Sequence, residues 1–430
     1  MSTVYLAVTP HDTIIARDGR PFGKDQGIRM RSLDWPYPSV LAGSLRTMLG
    51  KMNGGFSDEV VKELLEINTA GPLPMKGKQL YLPIPNDILA KETDEKLIAI
   101  PLRPAKLGAG EGCDLPKGGL LPTMLPEAID EDFKPKKLPA FWSMSKMIAW
   151  LTNPCGSNFA LCKYSKINKE DIKETGYEDG RKEECWKDDP DFLEAPEKDE
   201  RVHTGINAKT GVAAIEEGLL FMSVGLDLSS TEKGSGIRMA ARIEVDGIFE
   251  ETINKLDTIH PFGGERRLAR WARSGQVNGW TCDDGLKSLL SKSQKIRMVL
   301  STPAIFSKGW LPGWLKDVNG YLEGTPPGAS DDLKLRLISA CVDRWKPISG
   351  WSAEAKSRGP KAIRRLVPAG SVYFFEVHHG SASELATSLW LRSVCDDVHG
   401  DKDRNRKDGF GLAVWGIWED AKNEEMKDKR

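Results

Sequence analysis

Nothing in this sequence approaches the ~20 consecutive apolar residues that a bilayer-spanning helix requires, so no membrane partner is expected. The opening Met1-Ser2-Thr3-Val4-Tyr5 lacks the basic stretch and apolar segment of a secretory signal. Charge of one sign is missing too: 61 Lys and Arg stand against 62 Asp and Glu, a formal net charge of −1. No bulk field then steers the molecule to a polyanion, and any nucleic-acid surface has to be local. Cysteine is scarce, with seven residues, an odd number, and no C-x-x-C pair. That is a poor disulfide framework for 430 residues and points to the reducing cytoplasm, with the thiols acting as small buried hydrophobes. Only six histidines occur, without H-E-x-x-H, G-x-S-x-G or H-x-E…C-x-x-C, which leaves little to support catalysis. Cys155, Cys162, Cys185 and His203 match no usual zinc-finger spacing. No metal or cofactor is expected.

What is present divides into two units, residues 1–280 and 281–430. In the first, Val4 to Val8 reads as a buried strand. Pro38 to Gly50 reads as a helix with Ser39 as N-cap and Gly50 as stop. Strands are expected at Gln79–Ile84 and Lys96–Leu102, long loops over Pro101–Pro139, and a helix over Ala140–Leu151. Lys163 to Arg201 is charged at 23 of 39 positions and reads as a solvated insertion. Gly218–Leu226 and Ile237–Val245 flank a Gly/Ser-rich turn and predict a hairpin. A short helix near Phe249–Leu256 and a basic strand over Gly263–Arg273 follow. In the second unit, strands are expected at Lys295–Leu300, Leu333–Val342, Ser371–Val377 and Leu412–Trp418, with a helix over Ala382–Val394 and a charged tail from Lys422. Each half can be read as β-α-β-β-α-β, so the fold class is α+β with two ferredoxin-like domains, although the first helix of the second half is weak.

Four segments carry possible ligand chemistry. Phe262-Gly263-Gly264-Glu265-Arg266-Arg267 combines glycines that let a backbone approach phosphate with forked guanidinium donors. The bland alternative is a solvated basic edge strand. The start of the Pro38 helix, with Ser39, Gly43, Ser44 and Arg46, exposes N-terminal amides suited to anions, or is simply a capped and closely packed helix. Arg201 to Gly211 offers a cation, several amide or hydroxyl donors and glycines suited to a phosphodiester, or is equally a loop hydrogen-bonded to itself. Lys407-Asp408-Gly409-Phe410-Gly411 is a glycine-rich turn into the last strand, and is neither a P-loop nor a dinucleotide fingerprint.

Together with Arg17 to Phe22, the Glu217–Phe221 stretch and the Pro368–Phe375 strand, these segments resemble the RAMP superfamily of CRISPR proteins. Within it they resemble the third-subunit family of type III-B (Cmr) effector complexes. The resemblance implies two ferredoxin-like domains and a non-catalytic scaffold that holds the 5′ repeat-derived handle of the CRISPR RNA. It also implies protein partners: a large polymerase-like signalling subunit on one side and RAMP backbone subunits on the other. RAMP glycine-rich loops near the C-terminus commonly touch RNA, here Gly409 to Gly411. Single-stranded RNA held in one shape needs aromatic or arginine platforms and phosphate donors. Arg17, Arg20, Arg46, Arg201, Arg266 and Arg267 are the expected donors, with His203 stacking or hydrogen-bonding. Two rivals stand beside this reading. One is a RAMP-fold endoribonuclease processing CRISPR precursor RNA, with His11 or His260 as acid/base. The other is a protein-interaction module that does not touch RNA.

Overall fold

Alternation along Ser2–Pro10 buries Val4, Leu6 and Val8, all at 2% exposure or less, and this strand becomes the centre of an antiparallel sheet. The computed structural model describes residues 2–17, 30, 32–93, 95–115, 119–126, 133–153, 159–163, 186, 189–207, 209–213, 220–229, 236–352, 359–396 and 404–420. In spatial order the first sheet runs Phe192–Leu193, Phe141–Ser143, Gln79–Pro83, Asn68–Lys76, Arg238–Val245, Ser2–Pro10, Leu268–Arg273, Asp257–Pro261. Its four central strands, numbered by chain order, lie as 2-3-1-4, each antiparallel to its neighbours.

The second sheet repeats that order. Lys334–Cys341, Val372–His379, Lys295–Leu300 and Leu412–Ile417 form its centre, flanked by Tyr321–Gly324 and Lys316–Val318 on one side and Arg392–Ser393 on the other. Phe374, Phe375, Trp415 and Trp418 lie fully inside, at 1% exposure or less. Among the described residues helices are few, and the longest is Pro38–Met52. The molecule is therefore a sheet-rich α+β protein.

Several local expectations change. Pro38 takes the first helical position, where its missing N–H costs nothing, so Tyr37 rather than Ser39 holds the cap, without a side-chain bond. The helix also runs past Gly50 to Met52. The expected hairpin of Gly218–Leu226 with Ile237–Val245 does not form. Arg238–Val245 pairs with Ser2–Pro10 and Asn68–Lys76 at the sheet centre, and Leu220–Asp227 pairs with Glu197–Thr204 in a separate two-stranded ribbon. Long-range pairing of a largely buried strand outweighs the local turn signal. The helix over Ala382–Val394 shortens to Ser383–Thr387. Leu391 has φ +50° and its amide bonds to Ala413 O, which a continuing helix would forbid. The expected solvated insertion yields buried Phe192–Leu193 at the sheet edge and the strand Glu197–Thr204 at its C-terminal end; residues 164–185 and 187–188 lie outside the described residues. Cys162 is disulfide-bonded, so the reading of every cysteine as reduced fails at that position. Cys282, Cys341 and Cys395 are buried free thiols, pushed up to about 12 by burial.

A buried charge cluster joins the two sheets. Asp87 accepts from Arg103 Nη1 at 3.0 Å, from Arg297 Nη1 at 2.8 Å and from Trp150 Nε1 at 3.0 Å. Arg297, on the first strand of the second sheet, also donates to the carbonyls of Trp150 and Asn153. Both guanidiniums lie over the Trp150 ring, at 5.3 and 4.9 Å. Burial pushes Arg297 down to about 9, still above neutral pH, so it remains charged there.

Candidate nucleic-acid interface

Where Ser2–Pro10 ends, the chain turns through His11 and Asp12 and runs between two neighbours. The His11 amide bonds to Leu268 O on the adjacent strand. Ile14 exchanges both backbone bonds with Leu226 of the ribbon, at 2.9 and 2.7 Å. Ile15 O accepts from the Gly264 amide at 2.7 Å. The segment thus ties the ribbon to the Gly263–Arg267 turn and fixes Asp12 between them.

Asp12 is the hub of the surface cluster. Its Oδ1 accepts from the Thr13 amide at 2.7 Å and from Arg201 Nη2 at 3.2 Å, and its Oδ2 accepts from Arg267 Nη1. The Thr13 amide, then Arg267 and Arg201, hold its carboxyl below the usual carboxylate range. Arg201 also bonds Asp199 through Nε at 2.6 Å. All three members of the cluster are accessible, Asp12 at 40%, Arg201 at 42% and Arg267 at 21% exposure. Forked guanidinium donors of this kind accept a carboxylate or a phosphate.

The turn beside it is built by glycine. Gly263 has φ +76°, and a Cβ there would lie 2.5 Å from Ile15 O. Glu265 and Arg266 also take left-handed conformations, at φ +54° and +51°, and both are exposed. Arg266 makes no side-chain hydrogen bond or ion pair among the described residues. On the ribbon, Arg201 and His203 share a face, two residues apart. His203 Nε2 meets Ser223 Oγ at 2.6 Å, and its ring stacks on Phe221 with centroids 5.0 Å apart and planes 17° apart.

The structure therefore brings together Arg201, His203, Gly263, Gly264, Arg266 and Arg267. Arg17 sits on the same segment as Asp12, exposed and bridged to Ser32. Arg20 lies outside the described residues, as do Cys155 and Cys185. Other candidates go elsewhere. Arg46 is 12% exposed and engaged through all three nitrogens: Nε donates to Leu64 O, Nη2 to Ile67 O and Nη1 to Asp408 at 2.5 Å. It ties the helix Pro38–Met52 to Ile67 and Asp408, away from the Asp12 cluster. Gly409 and Gly411 are buried in the seam, where a Cβ would meet Thr69 O at 2.8 Å and Cys395 Sγ at 2.7 Å respectively. Their glycines are demanded by packing rather than by a ligand. Ser39 stands in the first turn of the helix and Gly43 and Ser44 beyond it, and a Cβ at Gly43 would meet nothing within 4 Å. His260 has its pKa lowered by burial and then by Lys51, and no carboxylate hydrogen-bonds it among the described residues.

Sequence reasoning missed Asp12, Phe221 and Ser223. The Asp12-Thr13 pair, in which an Asx side chain bonds a nearby amide, is the one signal that could have marked Asp12.

The model of the CRISPR-associated protein (Cas_Cmr3) family matches residues 6–418. The chain belongs to that family. Similar solved structures, at low identity, include a chain of the type III-B Cmr-beta bound to cognate target RNA and AMPPnP, state 1. It has TM-score 0.42 and 14% identity, covering 89% of this chain and 87% of that one. A chain of the type III-B Cmr-beta bound to cognate target RNA gives TM-score 0.41 and 14% identity, covering 86% of each. A chain of the Csm3-Csm4 subcomplex in the type III-A CRISPR-Cas interference complex gives 0.35 and 12%, covering 87% of this chain and 94% of that one. No curated protein matches by sequence. No helix among the described residues of this family member is long and apolar enough to cross a membrane.

Proposed function

We propose that this family member is a non-catalytic RNA-binding scaffold subunit of a type III-B CRISPR RNA-guided interference complex. In this reading it holds the 5′ handle of the CRISPR RNA and bridges a large polymerase-like subunit to the RAMP backbone in antiviral defence. The observation that carries RNA binding is Asp12, an exposed carboxylate held between Arg201 and Arg267 beside a left-handed glycine turn. An RNA phosphate entering there replaces Asp12 as the arginines' partner. Arg266 supplies a further guanidinium from the turn tip, and the His203–Phe221 stack offers a ring surface for a base. Each half is a ferredoxin-like unit in this reading, supported by the 2-3-1-4 order of both central sheets.

The test is co-purification of the tagged chain from its host, with sequencing of bound RNA and identification of bound proteins. Short RNAs sharing one 5′ handle, together with a polymerase-like subunit, are expected. A clean protein without RNA overturns the reading. Incubation with repeat RNA in the absence of metal separates the endoribonuclease alternative, because discrete cleavage abolished by His11→Ala or His260→Ala would require it.

A further inference from the structure

Two short strands of the second unit, Lys346–Ile348 and Arg364–Leu366, pair with each other and belong to neither large sheet. The dipeptide Arg344-Trp345 leads into the first of them and borders two cavities. One, of about 940 Å³, is walled by Trp35, Tyr37 and Phe141 of the first unit. The other, of about 660 Å³, is walled by Leu120, Leu121 and Trp310. Arg344 and Trp345 line both. Trp345 is 45% exposed, whereas Trp142, Trp150, Trp271, Trp415 and Trp418 lie fully inside. The core therefore does not need this indole. An exposed apolar surface rimmed by charge marks an interaction site, and here the indole adjoins the apolar walls of both cavities.

The rim is cationic. Arg365, exposed, lies with its guanidinium carbon 4.8 Å from the centre of the Trp345 ring. Arg344 is exposed as well and makes no side-chain hydrogen bond or ion pair among the described residues. Lys198 and Lys346 complete the cations lining the two cavities, and the carboxylates there are Asp34 and Asp343. Asp34 takes both lysines, Lys198 at 2.8 Å and Lys346 at 3.9 Å. Asp343 accepts from the Arg344 amide instead of the guanidinium. The two arginines beside the indole are thus left without a carboxylate partner among the described residues. A ring with guanidiniums on either side matches a polynucleotide, whose every residue carries both a flat base to stack and a phosphate to neutralise. The base must be unpaired to present its face, which selects a single strand over a duplex.

We infer that Trp345, with Arg344 and Arg365, is a second platform for single-stranded nucleic acid, carried by the second unit. It shares no residue with the Asp12 cluster. A base stacks on the indole, and the phosphates on its two sides go to Arg344 and Arg365. The inference goes beyond the handle-holding reading and does not rest on it, because these three residues would bind a strand whether or not Arg201 and Arg267 do.

The experiment titrates the full chain into a fluorescein-labelled oligoadenylate and reads anisotropy at several salt concentrations, with thermal unfolding of each variant as the check on folding. Trp345→Ala should weaken binding by about 5–100-fold, the scale of one base–aromatic stack. Trp345→Phe keeps a ring and should stay within about threefold of the parent. Arg344→Gln combined with Arg365→Gln should flatten the slope of log affinity against log salt by about 0.7 for each phosphate no longer neutralised. The same Trp345→Ala loss should persist when Arg201→Gln and Arg267→Gln are already present, which separates this platform from the Asp12 cluster. A loss confined to the Arg201 and Arg267 variant overturns the platform and leaves the Asp12 reading standing, and a loss confined to Trp345 does the reverse. Equal weakening by Trp345→Ala and Trp345→Phe would show that no base stacks there and overturns it too. So does an unchanged RNA affinity in Trp345→Ala accompanied by loss of a protein from the complex isolated from the host, since the indole would then be a protein contact.

Discussion

Asp12 and Asp87 each accept from two arginines, yet they lie in opposite environments. Asp87, Arg103 and Arg297 are at 0%, 2% and 0% exposure, with the Trp150 indole N–H on the carboxylate and the Trp150 and Asn153 carbonyls on Arg297. Asp12, Arg201 and Arg267 stand at the surface. The same two side-chain types therefore do different things. Buried, the carboxylate is the counter-charge for two guanidiniums cut off from water, and no other anion can reach them. Exposed, the pairs are screened by solvent and each adds little to stability, so on the proposed reading a phosphate can take Asp12's place. Burial, not composition, decides which arginines are structural and which can serve a ligand.

The largest effect expected is at the buried end. Asp87→Asn leaves two buried guanidiniums without a counter-charge and should cost ~3–5 kcal/mol, read as a lower midpoint in urea unfolding. Arg297→Met should cost markedly less, because Asp87 keeps Arg103 and the cluster becomes neutral. If the two variants were equally destabilised, missing hydrogen bonds rather than the orphaned charge would be the cause, and the contrast with Asp12 would weaken.

Arg201→Ala combined with Arg267→Ala is the counterpart at the surface. Stability should barely change, since exposed ion pairs are screened, while single-stranded RNA affinity falls by roughly 30–100-fold, the scale of two charge-assisted bonds. The slope of log affinity against log salt should flatten by about 0.7 for each phosphate no longer neutralised. A large drop in stability with unchanged RNA binding would place this cluster in the same class as the buried one.

Arg46 tests the boundary between the classes. The sequence marks it as an RNA donor, but each of its three nitrogens already bonds Leu64, Ile67 or Asp408. Arg46→Met should cost ~1–3 kcal/mol through the orphaned Asp408 and carbonyls and leave the RNA salt slope untouched, as measured by filter binding at several ionic strengths.

This boundary is also where the sequence stops being legible. The apolar strands Val4–Val8, Lys295–Leu300 and Leu412–Trp418 are readable because their burial shows in their own residues. The turn at Gly263 and Gly264 is readable because paired glycines mark a loop. Arg46 and Gly409 look like ligand groups because the residues that claim them, Asp408 for one and Thr69 for the other, lie 362 and 340 positions away. Asp12 is invisible for the same reason, since its arginines are 189 and 255 positions distant. The missed pairing of Arg238–Val245 belongs with these: a nearby turn signal is visible in the sequence, whereas the demand of a sheet centre is not.

Asp12→Asn gives the smallest and most discriminating effect. Asparagine keeps the shape and its Oδ1 can still accept from the Thr13 amide, so the segment between ribbon and turn stays in place. Only the negative charge is removed, which frees Arg201 and Arg267. RNA affinity at low salt should rise by roughly 3–10-fold, with a steeper salt slope. Stability should fall only slightly, and in a defined pH window. The Asp12 carboxyl is held below its unfolded value, first by the Thr13 amide and then by Arg267 and Arg201. Its contribution is therefore present above the ordinary carboxylate range and disappears as pH falls through the lowered folded value. The variant should show a flatter acid limb in its stability profile while matching the parent's shape near neutrality. Unchanged RNA affinity would mean that Asp12 occupies no phosphate position and that exposure alone does not turn an arginine pair into a ligand site.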